Sequence, residues 1–564
     1  MFMKITLLFF IAGISSAFSQ SLTFTSKADM ATARSGSSAA TNGIYEFIAN
    51  GFSATNANTA QIEKYQFDTD TWSAFETSVP TVPKRYGNAE IANGKLYLFN
   101  GKTGSGNNNQ LEIIDTATGN VTYGAANPFP VSGAGSAVYG TDIYFFGGNV
   151  ADDHALYSNA LYKYNTVSNE WTPLAAMSRS IETTGKAVGN RLYVFGGYSE
   201  SDAYTENFQT VETTGNLVLA DWINVVEVGT KFFQGKYFGT NKYAQISAFD
   251  SNAINQESLN ISWLISPPYS KTATTETTNT FLSFNTKDGY NNGATLQAYI
   301  ITNWTGNIET STKFLLPARI ASGTTSGYAV NFTSSDAISL EDYPDNFRIA
   351  YKYIGGYAPE ATTTYQIDNV RIYSSFTSPY ISRYDIAANS WSEMDTQLPQ
   401  PVSANAVATS GTKVFVSGDY YEQSFLGAFD TANSSFTTMT ALDYLERRHH
   451  AAAVHNNSLY VFGGNKTEFS STVINSTQAA GLGVLISDEF NAAGALTAYP
   501  NPVNDILHFN GDIQNVSVYT VDGKKLQVKQ LNSGIEMSEL NPGIYMVTGQ
   551  TNTGKTVAIK VVKK

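Results

Sequence analysis

A short apolar strand closed by a small glycine-containing pair, two glycines in three of the copies, returns six times along the 564 residues. It reads Ile44-Tyr45-Glu46-Phe47 before Asn50-Gly51, Leu96-Tyr97-Leu98-Phe99 before Asn100-Gly101, and Ile143-Tyr144-Phe145-Phe146 before Gly147-Gly148. It comes back as Leu192-Tyr193-Val194-Phe195 before Gly196-Gly197, Val414-Phe415-Val416-Ser417 before Gly418-Asp419, and Leu459-Tyr460-Val461-Phe462 before Gly463-Gly464. Successive pairs are 50, 47, 49, 222 and 45 residues apart. A unit of that length cannot bury its apolar face alone, so copies must stack on one another. The long step exceeds its neighbours by about 175 residues, the size of a whole domain set into the array.

A second element follows the pairs: an apolar residue, then Asp or Asn, then a large residue seven positions after the first. The copies run from Ile114-Asp115 to Val121, Tyr164-Asn165 to Trp171, Tyr384-Asp385 to Trp391 and Phe429-Asp430 to Phe436, with a shorter turn from Phe67-Asp68 to Trp72. The Asp or Asn side chain is expected to bond the backbone two residues on, and the large residue to pack the outer strand between sheets. Strand, glycine pair and Trp turn together resemble the kelch repeat over about residues 21–200 and 377–477. Six copies imply an all-β, six-bladed kelch β-propeller of four-stranded antiparallel blades. Blade two lacks the Trp, and blade five departs with Gly418-Asp419 and Phe436. Leu22-Thr23-Phe24 through Met30 matches Trp171-Thr172-Pro173 through Met177. The N-terminal strand is therefore expected as the fourth strand of blade six, hiding open edges, with residues 483–488 competing for that place.

Charged residues are only 14% of the chain, against roughly 25% in an average soluble domain. Asn, Thr, Ser and Gly replace them, alongside 34 Tyr and 33 Phe, a mix that suits short strands joined by polar turns. The net charge is −13 and no basic stripe stands out, so nucleic acid is not an expected partner. Without cysteine there is no disulfide framework, thiolate zinc site, catalytic thiol or lipid-modified cysteine. Lys4, an apolar run over residues 5–14, and small residues Ala17 and Ser19 before Gln20 read as a secretory signal peptide over 1–19. No later stretch reaches about 18 consecutive apolar residues, so no membrane span is expected in the mature chain.

The organisation expected is propeller blades over 20–201 and 377–477, an insert over 202–376 between strands two and three of blade four, a linker over 478–496 and a tail over 497–564. The insert alternates apolar and polar residues as sandwich strands do. Trp222, Ser262-Trp263-Leu264-Ile265-Ser266-Pro267, Trp304, Tyr351-Lys352-Tyr353 and Tyr365-Gln366-Ile367-Asp368-Asn369-Val370 resemble the jelly-roll modules called choice-of-anchor or cleaved-adhesin domains. That resemblance implies adhesion, carbohydrate or protein binding and a structural calcium, for which Asp368 is the candidate ligand, with carbonyls near Glu206; calcium wants six to eight oxygens. In the tail, Tyr499-Pro500-Asn501-Pro502, the turn Asp522-Gly523, Leu540-Asn541-Pro542-Gly543-Ile544-Tyr545 and the basic end Lys563-Lys564 are similar to the type A C-terminal sorting domain of the Bacteroidota type IX secretion system. This implies export across the outer membrane, to the cell surface or beyond, with the secretion machinery as a partner.

Arg34, Arg85, Arg179 and Arg447 or Arg448 precede their glycine pairs by 16, 15, 17 and 16 or 15 residues. Repeat symmetry is expected to bring these guanidiniums, with His449, to one mouth of the central channel, where they suit a carboxylate. Antiparallel order places the insert at that same end. Against this stands a bracing role between blades. His449, His450 and His455 are an unpromising metal set, because adjacent strand residues face opposite ways. The reading that results is a secreted binding protein for a glycan or surface protein. The alternatives are a carbohydrate-active enzyme resembling sialic-acid mutarotases, with its pocket at the arginine mouth, or a purely structural surface protein.

Overall fold

The structure, a computed structural model, describes residues 20–150, 156–271, 278–466, 472–482, 498–509, 513–520, 524–531, 534–551 and 556–564. The expected signal peptide, most of the linker, the competing strand over 483–488 and the Asp522-Gly523 turn lie outside the described residues. Among the described residues there is no α-helix, and none is long and apolar enough to cross a membrane.

Each glycine pair closes the second strand of a four-stranded antiparallel blade. Blade one is built from Ser38–Thr41, Tyr45–Ala49, Ile62–Gln66 and Thr71–Ala74, and blades two and three repeat the pattern as separate sheets. Second strands are mostly apolar because they are covered on both faces by neighbouring blades; Leu96, Leu98 and Phe99 are buried, as are Ile143, Phe145 and Phe146. The first residue of the pair adopts a left-handed backbone, φ 59° at Asn50 and 56° at Asn100. Asn tolerates that conformation where other side chains resist it, which accounts for Asn-Gly in blades one and two.

The outer strands repeat one fastening. Trp72, Trp171 and Trp391 each donate the indole N–H to a carbonyl of the preceding blade, at Ala28, Ala125 and Ala175, all at 2.8 Å. Tyr65, Tyr164 and Tyr384 donate to the turn residues Asp70, Asn169 and Asn389. The expected turns form too: Asp115, Asn165, Asp385 and Asp430 accept the backbone N–H two residues on. In blade five, Asp419 replaces the second glycine and caps its own loop, accepting from Ser403, Tyr421 and Glu422 N–H.

Gln20–Ser26 closes blade six, antiparallel to Thr477–Gly481 with Phe24 opposite Ala480. The same strand runs parallel to Met439–Leu442 of blade five, so it joins the last two blades into one sheet.

In blade four, Arg191–Glu206 pairs with Ile381–Asp385 within the blade and then continues outward beside Thr364–Thr377. This two-stranded stem carries the insert between strands two and three. Two antiparallel sheets pack there over one core that includes Trp222, Leu264, Phe284, Ile300, Tyr351 and Ile367. A separate pair of four-stranded sheets forms the tail, with Val503, Leu507, Val518, Tyr545, Val547 and Val561 in its core. Tyr545 bonds the Asn541 carbonyl and Asn501 accepts Val562 N–H, which gives the residues of the Asn-Pro-Gly-Ile-Tyr and Tyr-Pro-Asn-Pro blocks a fastening role.

Candidate functional site

Where strand one of each blade begins, backbone bonds knit the blades around the channel. A chain runs from Ala404 through His449, Gly36, Tyr86 and Gly133 to Thr183, each N–H donated to the preceding residue's carbonyl at 2.7–3.1 Å. This ring fixes which positions are equivalent, and it corrects the arginine reading. Arg34, Lys84 and Arg447 fall two residues before their ring residues, whereas Arg85 and Arg448 fall one before. Arg179 stands four residues before Thr183 and belongs to neither set.

The first set faces inward. Arg34 is fully buried in an ion pair with Glu63 and donates to the carbonyls of Asn50 and Gln61. Lys84 repeats the arrangement with Glu112 at 2.8 Å. Arg447 meets Gln478 instead, plus the carbonyls of Gly463 and Ser476. Glu63, Glu112 and Gln478 occupy one position on strand three, each opposite the fourth residue of strand two, Ile48, Leu98 and Val461. These are bracing residues, and the signal was in the sequence: a buried cation occurs only in the three blades that offer Glu or Gln there.

The second set lies toward the mouth, with Arg85 half-buried and Arg448 buried, donating to the Tyr420 carbonyl at 3.2 Å. Arg85 donates to Asn58 Oδ1 at 3.2 Å and lies over the rings of Phe52 and Tyr86. Arg448 lies 3.8 Å above the Tyr420 ring. His449 packs against Tyr86, with centroids 5.1 Å apart, and against Tyr420. Burial and the Arg448 charge hold the His449 imidazole neutral, with its pKa pushed down to about 3. His450 turns away to Ser417 and His455 stacks on Phe67 beside Asp68, so the three histidines occupy three separate places.

Glu182, missed by sequence reasoning, faces the mouth from blade four; burial and the nearby Glu200 raise its carboxyl to about 7. Glu200 sits on the insert's stem, where it accepts from Tyr198 and pairs with Arg371 at 2.6 Å. Tyr157, from a blade-three loop, packs edge-on against Tyr198. Arg179 braces the stem's foot: it lies 4.1 Å from the Tyr380 ring, over Phe376, and pairs with Glu393. The stem thus rises from the face that carries the arginine mouth.

Lower in the channel, Lys186 reaches from blade four to Glu90 of blade two at 3.1 Å, and Ser136 bonds the same carboxylate. Glu46 lies beside them, 2% exposed with Oε2 unbonded; burial raises it to about 8 and Lys186 opposes the shift. A carboxyl that holds its proton more tightly when folded lowers stability as pH rises from its unfolded pKa toward its folded one. Glu46→Gln is therefore expected to flatten the fall in urea midpoint between pH 5 and pH 8, and an unchanged slope would remove Glu46 as its source.

Two shallow grooves run outward on the same face, with volumes near 480 and 550 Å3. They share Asn58 and are lined by short uncharged groups such as Thr32, Thr59, Thr103, Ser105 and Asn107.

The calcium expected at Asp368 can be tested on its surroundings. Asp368 is buried and accepts from Asn241 and from Asn369 N–H. Glu206 stands close enough that burial and the Asp368 charge raise it, and no lysine or arginine pairs with either among the described residues. A buried and a half-buried carboxylate, neither with a counter-charge, fit a cation. No cluster of three or more His, Asp or Glu converges among the described residues, so most of the shell would be amide and backbone oxygen. Bound there, the ion would neutralise the pair and tie the stem's outer end to the last insert strand.

Comparison with known proteins places names on two segments. Residues 36–204 match the KLHDC2/KLHL20/DRC7 Kelch-repeats domain, and residues 497–564 match the secretion system C-terminal sorting domain. The chain carries kelch repeats and a secretion tail. Over 85 residues it is 40% identical to Kelch-like protein 38 of Danio rerio, a match covering 15% of this chain and 14% of that protein. The kelch propeller is thus established both by its repeats and by its blades, and the sorting domain implies secretion through the type IX system. Kelch domains suggest protein partners, and the mouth just described is the face on which the half-buried Arg85, Tyr86, His449 and Glu182 come together with the buried Arg448.

Proposed function

We propose that this is a secreted binding protein, displayed at or released from the cell surface, which recognises a glycan or a surface protein through the arginine-bearing face of its propeller. The observation that carries the reading is the convergence on one face of Arg85, Arg448, Tyr86, His449 and Glu182 with the foot of the insert. These groups adjoin two open grooves, a form that suits a macromolecular partner more than an enclosed small molecule. Arg85→Ala is expected to abolish retention of the labelled full chain on cells while leaving its melting temperature within a few degrees, whereas Arg448→Ala, at a buried site, should lose retention and lower the melting temperature as well. Retention equal to wild type would refute the reading.

A second reading has one observation in its favour. Glu182 near neutrality beside Glu200 is an acid–base pair of the kind a carbohydrate-active enzyme uses. Turnover of a sugar substrate that disappears in Glu182→Gln would favour it over binding alone.

The insert is proposed as an adhesin-like jelly-roll module stabilised by calcium at Asp368 and Glu206. Saturating calcium is expected to raise the melting temperature of the full chain over that in chelator, because a ligand that binds only the folded state stabilises it. Asp368→Asn should erase the difference, and identical curves for wild type would exclude the site.

A further inference from the structure

Five of the six ring positions hold a left-handed backbone: Gly36 at φ 59°, Tyr86 at 55°, Gly133 at 67°, Ala404 at 53° and His449 at 49°. Glycine adopts this conformation freely, whereas a residue with a Cβ is disfavoured there, and large side chains are held in it only where surrounding structure enforces it. Blades one and three use glycine. Blades two and six keep a tyrosine and a histidine in the same strained place, and both rings turn toward one spot, 5.1 Å apart. Room for them is made deliberately: a Cβ on Gly36 would lie 2.6 Å from Tyr86 Cε1. Strain of this kind gathers where a side chain serves something other than folding.

The surroundings indicate the ligand. Tyr86 and the neutral His449 make an uncharged aromatic floor. The half-buried Arg85 and the buried Arg448 flank it on the blade-two and blade-six sides, and Glu182 stands across from them, its charge and that of Arg448 both felt at the Tyr86 hydroxyl. From Arg85 the Asn58 contact leads straight into the two grooves, which offer hydroxyl and amide groups without charge. A floor for an apolar ring face, a cationic rim and a polar, uncharged runway suit a saccharide chain bearing carboxylates.

We propose that Tyr86 and His449 form a stacking subsite for a uronate ring, its carboxylate taken by Arg85 with the charge of the buried Arg448 behind it, and the following sugar units lying along the groove past Asn58. The proposal rests on the mouth being a binding face. Its test uses the full secreted chain and three probes: tetragalacturonate, a neutral galactose tetramer and hexaglutamate. With five histidines in the chain, the His449 ring signals are assignable by comparison with His449→Asn. Tetragalacturonate is expected to shift those signals and to bind at least about tenfold more tightly than the neutral tetramer. Tyr86→Gly and His449→Gly should each weaken that binding by about tenfold or more with an unchanged or raised urea midpoint. Tyr86→Asn and His449→Asn, which keep a side chain suited to the left-handed backbone, should lose binding equally. Full affinity in the folded variants, or a urea midpoint that falls in all four, overturns the stacking role. Hexaglutamate binding as tightly as the uronate overturns the saccharide assignment. No uronate binding, with cell retention still dependent on Arg85 and Arg448, overturns this proposal while leaving the binding face intact.

Discussion

Arg34→Met is expected to cost about 3–5 kcal/mol of stability, because it strands the Glu63 carboxylate in the propeller interior without its counter-charge. Both side chains are buried, at 0% and 6% exposure, and the other Glu63 oxygen is occupied by Ala31 N–H, so no rearrangement offers the charge to water. Lys84→Met should behave alike through Glu112. The double variant Arg34→Met with Glu63→Leu should lose less than Arg34→Met alone, since removing both partners removes the stranded charge. Arg85→Met, by contrast, should change stability by under about 1 kcal/mol, as surface polar changes do. Urea unfolding followed by tryptophan fluorescence measures all four, because Trp72, Trp171 and Trp391 each report on a contact between blades. Equal costs for Arg34 and Arg85 would mean that the two registers are not distinct.

Deleting residues 498–564 is expected to reduce the exported protein to background in a host with type IX secretion, with the shortened chain accumulating in the periplasm. The tail is a pair of sheets with its own core, so its removal breaks no strand pairing of the propeller. Fractionation followed by immunoblotting separates the outcomes. Undiminished export would show that the sorting domain match at 497–564 does not direct this protein.

The architecture was legible because stacking units must repeat the residues that stack. The glycine pairs, the Asp or Asn turns and the Trp spacing each have one geometric job, and each reappears in the blades in that job. Closure by Leu22-Thr23-Phe24 was readable for the same reason, but its parallel pairing with Met439–Leu442 was not, because one strand's residues do not state how many neighbours it has. The site was legible only in part. Spacing to the glycine pair is blind to a shift of one residue, and that single step separates Arg34, locked inside a blade, from Arg85 at the mouth. Glu182 carried no repeat signal, since its counterparts are serines (Ser35, Ser132, Ser403) or arginines (Arg85, Arg448) and none is acidic. Tyr86 and His449 could be located but their strain could not, because left-handed backbone is visible in a sequence mainly when glycine marks it.

The strand that fastens the ring lies more than 400 residues from both of its neighbours along the chain. Its seven residues, Gln20–Ser26, form the only covalent start of the propeller and also the clasp between its last two blades. The ring therefore cannot close until almost all of the kelch segment and the insert is present. Loop-closure entropy makes that last pairing the most delayed contact. A chain entering the extracellular space by its N-terminus would carry its clasp out first and need it last. Losing those few residues would leave two unpaired edges side by side, the arrangement most prone to recruit a strand from another molecule.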